Sequence, residues 1–229
     1  MGISEILVYD DTFTVDRPRA AAICDEIVRR KLEFGWDIRA RVNSVDEELL
    51  KKLKAAGCSR IHYGVEAGTD EILKILRKGI TLEEVRRAFS LTKKIGIQTL
   101  GYFMIGSPGE SRQHILKTIE FARRLSADFV HITITTPFPA TELYRLGIQK
   151  GIFGDFWREF ARNPQPGFKP KYWNEYLSEE ELQELIVKAY KSFYLRPTYI
   201  TRKIFGLRYF GELGRKIKAG LKVLTMGRN

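Results

Sequence analysis

Through the first 145 residues, short apolar runs alternate with stretches whose apolar residues recur every three or four positions. The first pattern reads as strands and the second as amphipathic helices. Strands are predicted at residues 6–9, 36–42, 59–65, 97–105 and 129–135. Helices are predicted at 19–34, from Ser44 to Gly57, at 70–77, from Thr81 to Gly96, at 114–125 and from Thr141. In the first helix Ala20, Ala22, Ile23 and Ile27 form the expected inner face. Ser44 with Glu47 and Thr81 with Glu84 have the spacing of capping boxes, and Gly57, Gly79 and Gly96 read as stops. Residues 147–177 lose the periodicity and gather Phe153, Phe156, Trp157 and Phe160 with three prolines, an expected irregular cover. A helix from Glu179 to Tyr194 follows a third capping box, Ser178 with Glu181, and opens a basic extension over 178–229.

Strands alternating with helices of 10–15 residues imply an α/β fold of parallel βα units. Five strands allow an open doubly wound sheet or part of a (β/α) barrel. No G-x-G-x-x-G and no Walker loop follows any strand, so dinucleotide and nucleoside-triphosphate readings lose support. A partial barrel over 1–146 is the preferred expectation.

Composition narrows the function classes. Two cysteines, Cys24 and Cys58, cannot supply the three or four thiolates of an iron–sulfur cluster or structural zinc. They also favour a reducing, cytoplasmic setting over a disulfide framework. No run of 18 apolar residues is present, and no secretory signal is read at the start. Of the net charge of +11, the stretch 192–229 carries nine basic residues against Glu212. Anionic partners, a membrane surface or nucleic acid, are therefore expected at residues 196–229.

Every predicted strand ends in a polar or glycine-rich tip: Asp10 and Asp11, Arg41 and Asn43, Glu66, the turn from Gly106 to Glu110, and Thr135, Thr136 and Pro137. Side chains at such ends read as ligands before they read as packing. Gly106 and Gly109 let backbone approach a flat ligand around Pro108, and Glu110 opens the next helix. The carboxylates suit an ammonium or ribose hydroxyls, and Arg41 suits a carboxylate. The competing readings are an Asx turn at Asp10, an Arg41–Glu66 ion pair, and a helix-stabilising Glu110. His62 and His131 on strands, and His114 in a helix, form no metal pattern.

Asp10-Asp11, Arg39-Ala-Arg41, the run from Gly57 through Gly64 and Glu66 to Gly68, Gly101 through Glu110, and Thr135 to Pro139 together resemble the radical S-adenosylmethionine superfamily. The likeness is greatest to its branch with a cobalamin-binding domain. It implies a TIM-like barrel in which Asp10, Asp11, Arg41, Glu66, Gly106, Pro108, Gly109, Glu110, Thr135 and Pro137 surround S-adenosylmethionine. It also implies, in complete members, a [4Fe–4S] cluster on Cys-x-x-x-Cys-x-x-Cys that generates a 5′-deoxyadenosyl radical, with cobalamin as a further cofactor.

Neither cysteine matches that motif, so the chain is expected to hold five of six barrel strands and to lack redox chemistry alone. An upstream chain or domain carrying the cysteine loop is the expected partner. Radical methylation or cyclisation of a small-molecule substrate is the expected parent reaction. The rivals are a non-catalytic partial barrel that binds S-adenosylmethionine or a partner, and a membrane-surface or nucleic-acid protein acting through its tail.

Overall fold

The computed structural model describes residues 2, 4–205 and 221–227, with 202–205 by backbone alone. Five strands form one sheet: β1 (Glu5–Leu7), β2 (Gly35–Ala40), β3 (Cys58–Glu66), β4 (Gln98–Ile105) and β5 (Phe129–Ile134). Their order in the sheet is their order in the chain, and the pairs β1–β2, β2–β3 and β3–β4 are parallel. A doubly wound sheet reverses its order at a switch point, whereas a barrel adds each strand beside the last. The fold is a partial (β/α) barrel of the TIM-like kind.

The helices are α1 (Arg17–Arg29), α2 (Glu47–Ala55), α3 (Asp70–Ile75), α4 (Leu82–Ile95), α5 (Arg112–Arg124), α6 (Glu142–Gln149), α7 (Phe156–Arg162), α8 (Glu179–Tyr194) and α9 (Pro197–Phe205). Two compact units divide the chain, one of residues 1–103 and 120–131 and one of 104–119 and 132–229.

In the first unit, alternate strand residues are buried: Trp36, Ile38 and Ala40, then Ile61, Tyr63 and Val65. Buried with them are Leu49, Leu50 and Leu53 of α2 and Val85, Ala88 and Phe89 of α4. Tyr63 lies 5.1 Å from Phe89, and its hydroxyl is 2.8 Å from Thr92 Oγ1, so the one polar atom of this core residue is satisfied. Thr81 and Glu84 close the capping box, and Gly96 ends α4 with φ +81°. Ser44 does not cap α2. Asp46 does, accepting from Leu49 N, because Ser44 sits in a 3-10 turn (Val42–Ser44) and donates to Arg41 O. The buried stripe of α1 is Ala20 and Cys24. Ala22 and Ile23 are exposed, since their expected face ran one position off the i, i+4 row.

In the second unit α8 buries Leu182, Leu185, Ile186, Ala189 and Phe193. The Tyr190 hydroxyl meets both the N–H and the carbonyl of Ile132, at 3.1 Å each. The expected irregular cover contains α7, which Asp155 caps by accepting from Arg158 N. Its aromatic residues pack on one another, Phe160 and Phe168 stacking at 4.1 Å and Tyr144 and Phe153 at 5.6 Å. The basic tail between 206 and 220 lies outside the described residues. Among those described, no helix is long and apolar enough to cross a membrane.

Candidate cofactor site

The tip of β3 is built by an irregularity. Pairing with β4 slips between Gly64 and Glu66, and Glu66 has φ +73°, a left-handed conformation that a non-glycine residue adopts only where surroundings impose it. The slip aims the carboxylate at the Lys78 ammonium, 2.7 Å away, in a mostly buried pair. Lys78 arrives from the loop after α3, which two residues from the tip of β2 hold in place. The Arg41 guanidinium donates to the Lys78 carbonyl, and Asn43 donates to the Gly79 carbonyl at 3.2 Å. A Cβ on Gly64 would lie 2.6 Å from Glu66 Oε1 and 2.9 Å from Lys78 Nζ. Only glycine lets both head groups lie against the strand.

Arg41 therefore does not pair with Glu66, as one expectation had it. Lys78 does, and Arg41 positions the Lys78 backbone. Lys78 carried no sequence signal beyond its place just past a short helix.

Asp10 lies three residues beyond β1. It accepts from Thr12 N at 3.2 Å, the Asx-turn arrangement, and from Arg19 at 2.6 Å. The Arg19 hydrogen bond holds its carboxyl below the ordinary value. Asp11 is exposed, and its carbonyl accepts from Thr12 Oγ1.

In the second unit, Gly106 (φ +72°) and Gly109 (φ +73°) shape the turn after β4, and Pro108 is buried between them. Glu110 is 1 % exposed and accepts from Ser107 N at 2.9 Å and from Thr118 Oγ1 at 3.5 Å. Burial pushes its carboxyl up to about 7, against the pull of the Ser107 and Gly106 N–H groups.

The turn does not face open space. A Cβ on Gly106 would meet Leu182 at 2.9 Å and Trp173 O at 3.2 Å, and Gly109 N donates to Glu175 at 3.1 Å. The space left between the turn and residues 173–177 has a cavity volume of about 0 Å³, too little even for a water molecule and far below the roughly 300–1,000 Å³ of small-molecule sites. Thr135 joins this cluster through Ser107 Oγ at 3.0 Å and through Trp173 N, while Pro137 is buried and its carbonyl accepts from Trp157. Glu175 was missed, because neither periodicity nor a motif marks it. Burial would raise its carboxyl, but Lys150, Gly109 N and Trp173 outweigh this and hold it low.

The Radical SAM superfamily model matches residues 1–122, more than half of the chain. The chain belongs to the radical SAM superfamily. Over 89 % of its length this radical SAM chain is 37 % identical to an uncharacterized methyltransferase of Pyrococcus horikoshii. Over 85 % it is 28 % identical to the anaerobic magnesium-protoporphyrin IX monomethyl ester cyclase of Rubrivivax gelatinosus. It spans 44 % and 34 % of those two proteins. Its fold matches the radical S-adenosylmethionine methyltransferase TsrM of Kitasatospora setae, whose structure holds cobalamin and a [4Fe–4S] cluster. There the TM-score is 0.60, with 24 % identity over 65 % of this chain and 31 % of that one.

The radical SAM family uses S-adenosylmethionine and a [4Fe–4S] cluster. The residues of this chain do not fit the cluster. Cys24 and Cys58 are both buried, one in α1 and one at the start of β3. Burial pushes the Cys24 thiol up to about 11 and raises Cys58 further, so neither favours the thiolate form that ligates iron. Among the described residues no group of three or more His, Cys, Asp or Glu could hold a metal ion. The tip of β3 does fit part of S-adenosylmethionine, since a carboxylate and an ammonium side by side complement the two charges of a methionyl group.

Proposed function

We propose that this chain contributes the S-adenosylmethionine-holding part of a radical SAM enzyme of the methylating or cyclising kind. The observation that carries the reading is the Glu66–Lys78 pair at the tip of β3. Glu66 would take the methionyl ammonium and Lys78 the carboxylate, each giving up its present partner for a ligand group of the same charge. Arg41 and Asn43 would fix the loop that presents Lys78. Gly64 would keep the strand clear of both. S-Adenosylmethionine supplies the sulfonium from which a methyl or adenosyl group departs.

Calorimetry tests the reading. S-Adenosylmethionine should bind the intact chain, and Glu66→Gln should weaken binding at least tenfold, about 1.4 kcal/mol. Heat that is absent at millimolar ligand, or unchanged in Glu66→Gln, would count against it.

The cluster would come from a partner segment or polypeptide. Support for such a partner lies at β1, where the strand order ends and Ile6 and Leu7 are exposed, as are Val28 of α1 and Leu32 in the connection from α1 to β2. A further βα unit would pair with that edge and cover those side chains. Cobalamin, found in TsrM, belongs to the same proposed assembly. Methylation is favoured by the methyltransferase relative and cyclisation by the cyclase. Co-purification with a cysteine-loop partner should be lost in Ile6→Asp/Leu7→Asp; retention would exclude this edge as the docking surface.

A further inference from the structure

The face of the sheet opposite the helix-packed core carries a polar row wholly within the first unit. His62 is 8 % exposed, with Nδ1 3.2 Å from the Tyr102 hydroxyl and Nε2 3.4 Å from Asp37 Oδ2. The same Asp37 oxygen lies 3.4 Å from Arg60 NH1, so one carboxylate serves two neighbours. Arg60 Nε is buried without a hydrogen-bond partner. Arg39 is the Cα partner of His62 across the β2–β3 ladder, which places it on the same face. Its guanidinium lies 4.6 Å from the Tyr9 ring, and among the described residues no acidic side chain pairs with it.

One carboxylate, Asp37, thus faces Arg60 on a half-buried surface that also carries Arg39, so the row holds two guanidinium groups against a single acid. His62 does not add to that charge, because burial lowers its pKa below 6.5 despite Asp37, and Arg60 and Arg39 lower it further. Arg39 lies over the Tyr9 ring, and a guanidinium with no acidic partner among the described residues keeps its fork of N–H donors for an anion, which it can hold with two hydrogen bonds. Tyr9 is itself 75 % exposed, an aromatic surface beside the unpaired cation.

We propose that this face binds the anionic group, a carboxylate or a phosphate, of a small unsaturated molecule, and that Arg39 is the residue that contacts it. Calling that molecule the substrate rests on the functional reading above; the anion site itself does not. Asp37 faces both Arg60 and His62, and the Tyr102 hydroxyl, engaged by His62, lies on the same face. A neutral ligand of the same shape would leave Arg39 uncompensated and should bind more weakly.

The test follows the His62 imidazole signal by NMR in the intact chain, titrated with benzoate, phenyl phosphate and benzamide at matched ionic strength. A saturable shift is expected with benzoate or phenyl phosphate at least tenfold below the concentration benzamide needs. Whichever anion binds tighter identifies carboxylate or phosphate as the group. Arg39→Gln should abolish the preference over benzamide. Arg39→Lys, which keeps the charge but loses the fork, should weaken it at least threefold and serves if the glutamine variant does not fold. Equal binding of all three probes, or an undiminished preference in the folded Arg39 variants, overturns the proposal. S-Adenosylmethionine calorimetry on the same sample separates the two ideas. Anion binding without cofactor binding sinks the functional reading and leaves this site, and the reverse outcome sinks this site alone.

Acidification should be felt at the same row. A histidine whose pKa is depressed in the fold binds fewer protons than it does unfolded, so it stabilises above 6.5 and that stability is lost as pH falls through the folded value. The His62 chemical shift should therefore titrate below 6.5, and Asp37→Asn should move its midpoint lower still by removing the favourable carboxylate. An upward movement would show that Asp37 does not face the ring.

Discussion

Gly147→Ala should lower the urea midpoint of this protein, by an amount equivalent to about 2 kcal/mol. The sign is the opposite of what helix propensity gives, since alanine inside a helix ordinarily gains roughly 1 kcal/mol over glycine. Gly147 lies within α6, and a Cβ there would fall on the Phe153 ring, 2.7 Å from two of its carbons. Phe153 is hemmed in by other rings. It stacks on Tyr144 and meets Phe156 and Trp173 edge-on at 5.3 and 6.2 Å. Overpacking of such a cluster costs on the order of 1–3 kcal/mol, here at the upper end, and after the propensity gain of roughly 1 kcal/mol is set against it the net loss is about 2 kcal/mol. Equilibrium urea unfolding followed by tryptophan fluorescence reads it directly. A midpoint at or above that of the parent would mean that Phe153 does not pack over α6.

The second large effect is a pH dependence set by Glu110. Its carboxyl moves from 4.5 in the unfolded chain to about 7 in the fold, chiefly because burial disfavours the charged form. A raised carboxyl pKa means that the folded state holds the proton more tightly. The stabilisation is complete below 4.5 and is lost as pH rises through about 7, a difference on the order of 3 kcal/mol. Unfolding midpoints should therefore fall between pH 5 and pH 8. Glu110→Gln, which keeps an acceptor for the Ser107 N–H but cannot ionise, should flatten the profile. Glu110→Ala should be unstable at every pH, because the Ser107 N–H would lose its acceptor in a buried turn. A profile for Glu110→Gln as steep as that of the parent would assign the pH dependence elsewhere.

That glutamate shows how far residues could be read. Gly106 and Gly109 announced a turn after a buried strand, and both take positive φ there. Whether the turn met a ligand or its own chain depended on Trp173 and Leu182, more than sixty residues later, and no local pattern encodes such a contact. The capping boxes at Thr81 and Ser178 were legible because their donors and acceptors lie within three residues. Ser44 misled for the same reason: the spacing was right, but Asp46 lay closer to the helix start and already offered an acceptor. Strand number and parallel pairing followed from alternation, while the choice between barrel and doubly wound sheet needed the spatial order.

The site divides in the same way. Glu66 stood out beside two glycines, yet its partner depended on a slipped register that turns its backbone left-handed. Asp37, Arg39 and Arg60 were visible as polar residues between buried ones on β2 and β3. Their meaning emerged only when the Arg39–His62 and Asp37–Arg60 pairings set them side by side.

The Tyr190 hydroxyl on Ile132 has a consequence for self-association. Both backbone groups that Ile132 turns outward at the end of the strand order are taken by a side chain of α8, so an incoming strand would have to displace it. Growth by strand addition is therefore disfavoured at this border.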